Sequence, residues 1–212
     1  MIKIGDFLGF VVSMLAITNP AGSLAVFLGM TNDKTESEKK KIALTTTLTI
    51  LIVLLLILLL GLSILKVFGI SLPAFQITGG LIILLRGLDM LHFEENPISQ
   101  SANELNFQSK TVKASIAVVP LGIPIIAGPG AMTNVIIFSR HFSHFSDKIM
   151  ICGGIFLVSF IVGGTLFFAT YIGKIIGDTG IKITTRIMGL LLAAIAMSMI
   201  MNGLSELFPG WN

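Results

Sequence analysis

Long apolar stretches alternate with short polar ones along the whole chain. Six apolar segments emerge, at about 6–30, 42–66, 73–91, 114–139, 149–173 and 184–206. A helix of ~20 apolar residues crosses a hydrocarbon layer about 30 Å thick, and each segment is close to or above that length. Short segments of alternating hydrophobicity, the mark of a membrane β-barrel, are absent. The pattern predicts an all-α membrane protein with six transmembrane helices in a single domain. The longest polar stretch runs from about His92 to Lys113 and includes Pro97. It predicts a linker at about 96–112 joining a first repeat (about 1–95) to a second (about 113–212).

Two of the six segments are interrupted. Ala16-Ile17-Thr18-Asn19-Pro20-Ala21-Gly22-Ser23 lies in the first, and Ile126-Ala127-Gly128-Pro129-Gly130-Ala131-Met132-Thr133 in the fourth. Each sets a proline among small residues, which removes a backbone donor and breaks the helix near the membrane midplane. The two prolines are 109 positions apart, and at the same offset Gly80 falls on Gly189. This register suggests an internal duplication. Three spans return a chain to the opposite side, so the second copy enters inverted. Inverted repeats with broken helices at matching positions point to a secondary transporter whose site lies at the repeat interface.

Composition fits this class. The chain is 54% hydrophobic and 12% charged, with a mean hydropathy of +0.95, whereas soluble domains are roughly a quarter charged. A net charge of +3 would raise the question of nucleic acid in a soluble protein. Here the basic residues sit in loops between spans, so no nucleic-acid partner is expected. Lys3, Lys66, Arg140 and Lys148 lie on one side. Lys34, Lys39, Lys40, Lys41, Lys110, Lys113, Lys174, Lys182 and Arg186 lie on the other. The excess predicts a cytoplasmic second group and both termini outside. Cys152 is the single cysteine and reads as packing. The N-terminus reads as a retained first span rather than a removable signal.

The candidate chemistry lies at the breaks. Backbone groups freed in lipid must be satisfied by protein or by a water-filled cavity. Freed N–H groups at a half-helix start suit a carboxylate, and freed carbonyls suit a cation or ammonium group. Together they would hold a small zwitterionic solute. The candidate substrate-binding residues are therefore Asn19, Pro20, Ala21, Gly22, Gly128, Pro129, Gly130 and Ala131, with Thr18, Ser23, Thr133 and Asn134 beside them. The competing view is that the prolines only kink the helices and that these polar side chains join helices together.

No Asp or Glu occupies the middle of a span, since Asp6, Asp89 and Glu206 all lie near span ends. A carboxylate proton relay is thus not visible, and Na⁺ or H⁺ coupling by another route stays open. Arg86 is the most deeply placed basic residue, with Asp89 on the same helical face and in reach of an ion pair. It reads either as a snorkelling arginine closed off by Asp89 or as part of an inner gate or carboxylate anchor.

Gly79, Gly80, Gly87, Gly189 and Gly203, together with Gly5-x-x-x-Gly9 and Gly173-x-x-x-Gly177, predict close helix approach. Thr45, Thr46, Thr47 and Thr49 predict interhelical hydrogen bonds. His141 and His144 are spaced i, i+3 without an evident third ligand, so no metal site is expected. Gly128-x-Gly130 follows no strand, so it does not read as a dinucleotide loop. No His-Glu-x-x-His, Gly-x-Ser-x-Gly or buried carboxylate pair is present, and no enzymatic activity or cofactor is expected.

The chain resembles the MarC family of integral membrane proteins, also treated as a neutral amino acid transporter family, over essentially its whole length. The resemblance rests on Ile17-Thr18-Asn19-Pro20-Ala21-Gly22, Thr78-Gly79-Gly80 with Arg86-Gly87, and Gly128-Pro129-Gly130-Ala131. It implies an inner-membrane location and transport of small neutral amino acids such as glycine and alanine. The first motif departs from the family's pattern in continuing Ser23-Leu24-Ala25 without a second proline. Export of amino acids or other small metabolites, and a membrane scaffold without transport, are the alternative readings.

Overall fold

The computed structural model describes residues 3–91, 126–142, 144–208 and 210. Seven helices occupy them: α1 (Ile4–Thr18), α2 (Pro20–Met30), α3 (Glu36–Val67), α4 (Leu72–Leu91), α5 (Pro129–His141), α6 (Phe145–Phe167) and α7 (Ala169–Leu207). No strand occurs among the described residues. Five stretches are long and apolar enough to cross a membrane: Ile4–Met30, Glu36–Val67, Leu72–Leu91, Ser146–Phe167 and Thr179–Leu207. The expected fourth span begins outside the described residues, as does the whole expected linker; α5 is the described part of that span.

Local chemistry explains where the helices start and stop. α3 begins at Glu36, before the apolar run expected from 42, because Thr35 and Glu38 cap it reciprocally. The Glu38 N–H donates to Thr35 Oγ1 at 3.3 Å, and the Thr35 N–H donates to Glu38 Oε2 at 3.0 Å. At 32 residues this helix is about 48 Å long, so its charged first turns extend beyond a hydrocarbon layer. The fifth expected span, 149–173, is divided at Phe168 between α6 and α7. Gly177 then interrupts α7 with φ 64°, ψ 171°, a conformation open to glycine.

The 109-residue register reaches beyond the prolines. Pro20 and Pro129 begin α2 and α5. Glu36 and position 145 begin α3 and α6, and Val67, the last residue of α3, falls on Ile176, just before the kink at Gly177. α4 and α7 run antiparallel in close contact. A Cβ on Gly80 would lie 3.0 Å from the Ala196 carbonyl oxygen, and one on Gly87 would lie 2.9 Å from that of Gly189. The offset carries Gly80 onto Gly189 and Gly87 onto Ala196, so it exchanges one contact for the other.

Burial is the reverse of a soluble protein's. Large apolar side chains face outward, with Leu59 71% and Phe160 78% exposed, as expected where lipid is the solvent. Polar Thr46, Gln76, Thr133 and Asn134 are buried among Phe10, Met14, Phe27 and Leu54. Cys152 is half-buried and packs on this core.

Two small-residue expectations are corrected. Nothing lies within 4 Å of a Cβ built on Gly5 or Gly9, so that pair forms no helix contact within the described chain. Thr45, Thr47 and Thr49 donate to carbonyls of their own helix, those of Lys41, Ala43 and Thr45, rather than across helices.

Candidate functional site

The first break is built around Asn19, the one described non-glycine residue with positive φ (44°, ψ 75°). Asn tolerates this left-handed conformation better than most residues. The α1 backbone ladder ends with the Asn19 N–H donating to the Leu15 carbonyl, and α2 begins with the Ser23 N–H donating to that of Asn19. No hydrogen-bonded turn spans Asn19. Pro20 has no N–H to offer Ala16, and the Ile17 carbonyl receives none from Ala21. Side chains stitch much of the gap. Asn19 Oδ1 accepts from the Gly22 N–H at 3.2 Å, Ser23 Oγ donates to the Thr18 carbonyl at 2.9 Å, and Thr18 Oγ1 donates to that of Met14 at 2.8 Å. Gly22 is required here, because a Cβ would collide with Asn19 Nδ2.

The second break is barer. Gly128 is extended (φ −72°, ψ −179°) and gives α5 no side-chain cap. No hydrogen-bonded turn spans it. Pro129 at the first helical position brings no N–H, and the ladder resumes with the Met132 N–H donating to the Gly128 carbonyl at 3.1 Å. Among the described residues, the N–H groups of Gly130 and Ala131 have no backbone acceptor.

Gly130 and Ala131 belong to the wall of a cavity of about 80 Å³, lined by Ile17, Ile82, Ile83, Arg86, Ile126, Leu192 and Gly128 to Ala131. That is room for a few waters or a very small solute. The breaks adjoin here, since a Cβ on Gly130 would lie 3.4 Å from Ile17 Cγ2 and 2.5 Å from Ile83 Cγ1. The offset of 109 also relates the walls: Ile17 falls on Ile126, and Ile83 on Leu192.

Among the expected site residues, Gly128, Pro129, Gly130, Ala131 and Arg86 line this cavity. Thr18, Asn19, Pro20, Ala21, Gly22 and Ser23 do not, and the side chains of Thr18, Asn19 and Ser23 are engaged within the break. Thr133 and Asn134 also lie outside it. Thr133 Oγ1 donates to the Pro129 carbonyl at 2.8 Å, while Asn134 Nδ2 donates to Ser13 Oγ at 3.0 Å and ties the two broken helices together.

Arg86 lines the cavity without an ion pair to Asp89. Its side chain is half-buried. Asp89 is exposed. His141 Nδ1 lies 3.0 Å from the Ile137 carbonyl oxygen, and His144 is the N-cap of α6. Sequence reasoning did not find Ile17, Ile82, Ile83, Ile126 or Leu192. The offset of 109 was the available signal for four of them, because it pairs them with one another, Ile17 with Ile126 and Ile83 with Leu192.

A family model for MarC family integral membrane proteins matches residues 5–208. The chain is 35% identical over 204 residues to a UPF0056 membrane protein of Buchnera aphidicola, covering 96% of this chain and 94% of the relative. It is 34% identical to the UPF0056 membrane protein YhcE of Escherichia coli, covering 95% and 93%. It is 38% identical to a UPF0056 membrane protein of the archaeon Methanocaldococcus jannaschii, covering 91% and 92%. No solved structure matches the chain. With its helical, outward-apolar architecture and a family match over nearly its full length, the chain is a multi-pass membrane protein that belongs to the MarC family.

Proposed function

We propose that the protein is a secondary transporter of small neutral amino acids, of glycine or alanine size, working by alternating access across the cytoplasmic membrane. The observation that carries this reading is the meeting of two half-helix breaks at one small cavity. In a membrane, non-helical backbone is tolerated where protein or a water-filled cavity satisfies it, and such breaks are where transporters bind solutes. The paired walls Ile17/Ile126 and Ile83/Leu192 favour two inverted three-helix repeats with the cavity at their interface. So do the coincident helix starts and the exchangeable glycine contacts of α4 and α7. On this reading one repeat rocks against the other about the close α4–α7 contact. Both termini lie outside, Na⁺ or H⁺ supplies the coupling, and no covalent chemistry is performed. A cavity between the broken helices, with Arg86 in its otherwise apolar wall, favours transport over a scaffold role.

Uptake of labelled glycine and alanine into proteoliposomes under imposed Na⁺ or H⁺ gradients tests the proposal. Gradient-driven uptake that disappears in a folded Pro129→Ala variant, and falls less per folded molecule in Asn19→Ala, is the expected result. Uptake untouched by either substitution would move the site elsewhere. Flux seen only as efflux from preloaded vesicles would make the protein an exporter, and no flux in either direction would overturn amino acid transport.

A further inference from the structure

Resting on that transport reading, we propose that the cavity recognises its solute by a carboxylate, clamped between the Arg86 guanidinium and the N–H groups of Gly130 and Ala131. Two features meet in the lining of the cavity. The N-terminus of α5 presents two N–H groups without backbone acceptors among the described residues, and Gly128 gives its partial positive charge no capping side chain. Arg86 brings a full positive charge to the same wall. Among the described residues that guanidinium makes no ion pair and no hydrogen bond, and the carboxylate closest in sequence, Asp89, is exposed. A cation set without a partner in an otherwise apolar wall is costly, so its environment calls for an anion. A guanidinium fork matches a carboxylate in two parallel hydrogen bonds, which a spherical anion cannot reproduce.

The rest of the wall narrows the class. Ile17, Ile83, Ile126 and Leu192 offer no polar atoms from their side chains, so the anionic group is met only from the Arg86 and α5 side. About 80 Å³ excludes a bulky side chain on the solute. The offset sharpens the assignment further: Arg86 falls on Ile195, and Gly128 to Ala131 fall on the stitched segment Asn19 to Gly22. One repeat interface therefore carries its anion-holding groups on one side alone, which orients the solute. The Ile17 side, where among the described residues the Ile17 carbonyl has no backbone donor, is left for an ammonium group.

Equilibrium binding of labelled glycine to the full-length detergent-purified protein tests the assignment, with acetate, chloride, glycinamide and methylamine as competitors. Acetate is expected to displace glycine, while glycinamide and methylamine, which lack a carboxylate, leave it bound. Arg86→Gln is expected to weaken glycine binding about 30-fold or more, with partial recovery in Arg86→Lys. Competition by chloride as strong as by acetate would reassign the site to a free anion and overturn the carboxylate clamp. So would glycine binding within about threefold of wild type in a folded Arg86→Gln protein. Absence of binding by glycine and acetate to folded wild-type protein would also overturn it. If Arg86→Gln does not fold, the acetate–glycinamide contrast on the unmodified protein still decides. Carboxylate binding without flux in proteoliposomes would sink the transport reading and leave the clamp standing; flux indifferent to a carboxylate would do the reverse.

Discussion

The two breaks occupy the same position in the repeat, begin their second half-helices with the same residue, proline, and solve the backbone problem in opposite ways. At Asn19 the protein supplies its own partners: a left-handed Asn, a Ser23 hydroxyl on the Thr18 carbonyl, and a side-chain cap on the Gly22 N–H. At Gly128 it supplies an extended glycine, no cap and a cavity. The surrounding frame stays symmetric, with Ile17 against Ile126 and Ile83 against Leu192. The polar groups do not, since Arg86 faces this cavity and its counterpart is Ile195. At the offset of 109 the apolar frame of the junction is matched, while its polar groups lie on one side. The first break reads as structural and the second as the binding surface.

Asn19→Ala should break this contrast most severely. Alanine in the left-handed region costs about 1–2 kcal/mol, and loss of the cap adds a comparable amount, so a destabilisation of about 2–3 kcal/mol is expected. Thermal denaturation in detergent should register it. Asn19→Gly keeps the conformation and should cost only a few tenths of a kcal/mol. Equal losses for both would show that the cap, and not φ, holds the first break.

Ser23→Ala comes next. It leaves the Thr18 carbonyl buried without its hydroxyl donor, an unpaired acceptor worth about 1–2 kcal/mol. Thr18 is 0% exposed, so water cannot easily replace the bond. A melting point lowered by several degrees, with solute binding retained per folded molecule, would keep the first break structural. Loss of binding without loss of stability would move Ser23 into the site.

How much of this was legible in the sequence differs between the two breaks. Both positions were readable, because proline and glycine in an apolar run have no bland helical meaning, and the offset of 109 tied them together. Five of the expected spans were also readable from hydropathy. The early start of α3 was signalled by Thr35-x-x-Glu38, a capping pair that an apolar window overlooks. What could not be read was which polar residues face the cavity. Thr18, Ser23 and Thr133 look like ligands in sequence, yet a hydroxyl beside a broken backbone finds that backbone first. Ile83 and Leu192 look like any lipid-facing residues, and their inward direction depends on the rotation of α4 and α7 set by the glycine contacts. The depth of Arg86 was readable, but not its failure to pair with Asp89.

Gly130→Ala probes the second break with a smaller effect on stability. Alanine favours the helix by about 1 kcal/mol, while its Cβ would press on Ile83 Cγ1 at 2.5 Å. The two effects roughly offset, so the fold should hold within about 1 kcal/mol. Binding should nevertheless fall, because the methyl enters the cavity floor. Ile83→Val removes one methyl group from the same space and should restore part of it. A double-mutant cycle with no coupling between positions 83 and 130 would contradict the shared wall.

Pro129→Ala is the finest test, because it separates stability from function at one residue. Replacing proline where its φ already fits costs about 0.4–1 kcal/mol through the unfolded chain. The missing N–H at the first helical position is no loss to the native state, so the melting point should barely move. Yet proline also holds the preceding Gly128 out of the helical region. Without it, α5 can extend through Gly128 and draw the Gly130 and Ala131 N–H groups into its own hydrogen-bond ladder. Glycine binding should then fall far more than stability does. The corresponding change at Pro20 should do less to binding, because Asn19 and Ser23 still hold the first break in place. Equal loss of binding at both prolines would mean that the two breaks share the solute after all, and that the division between a stitched and an open break is wrong.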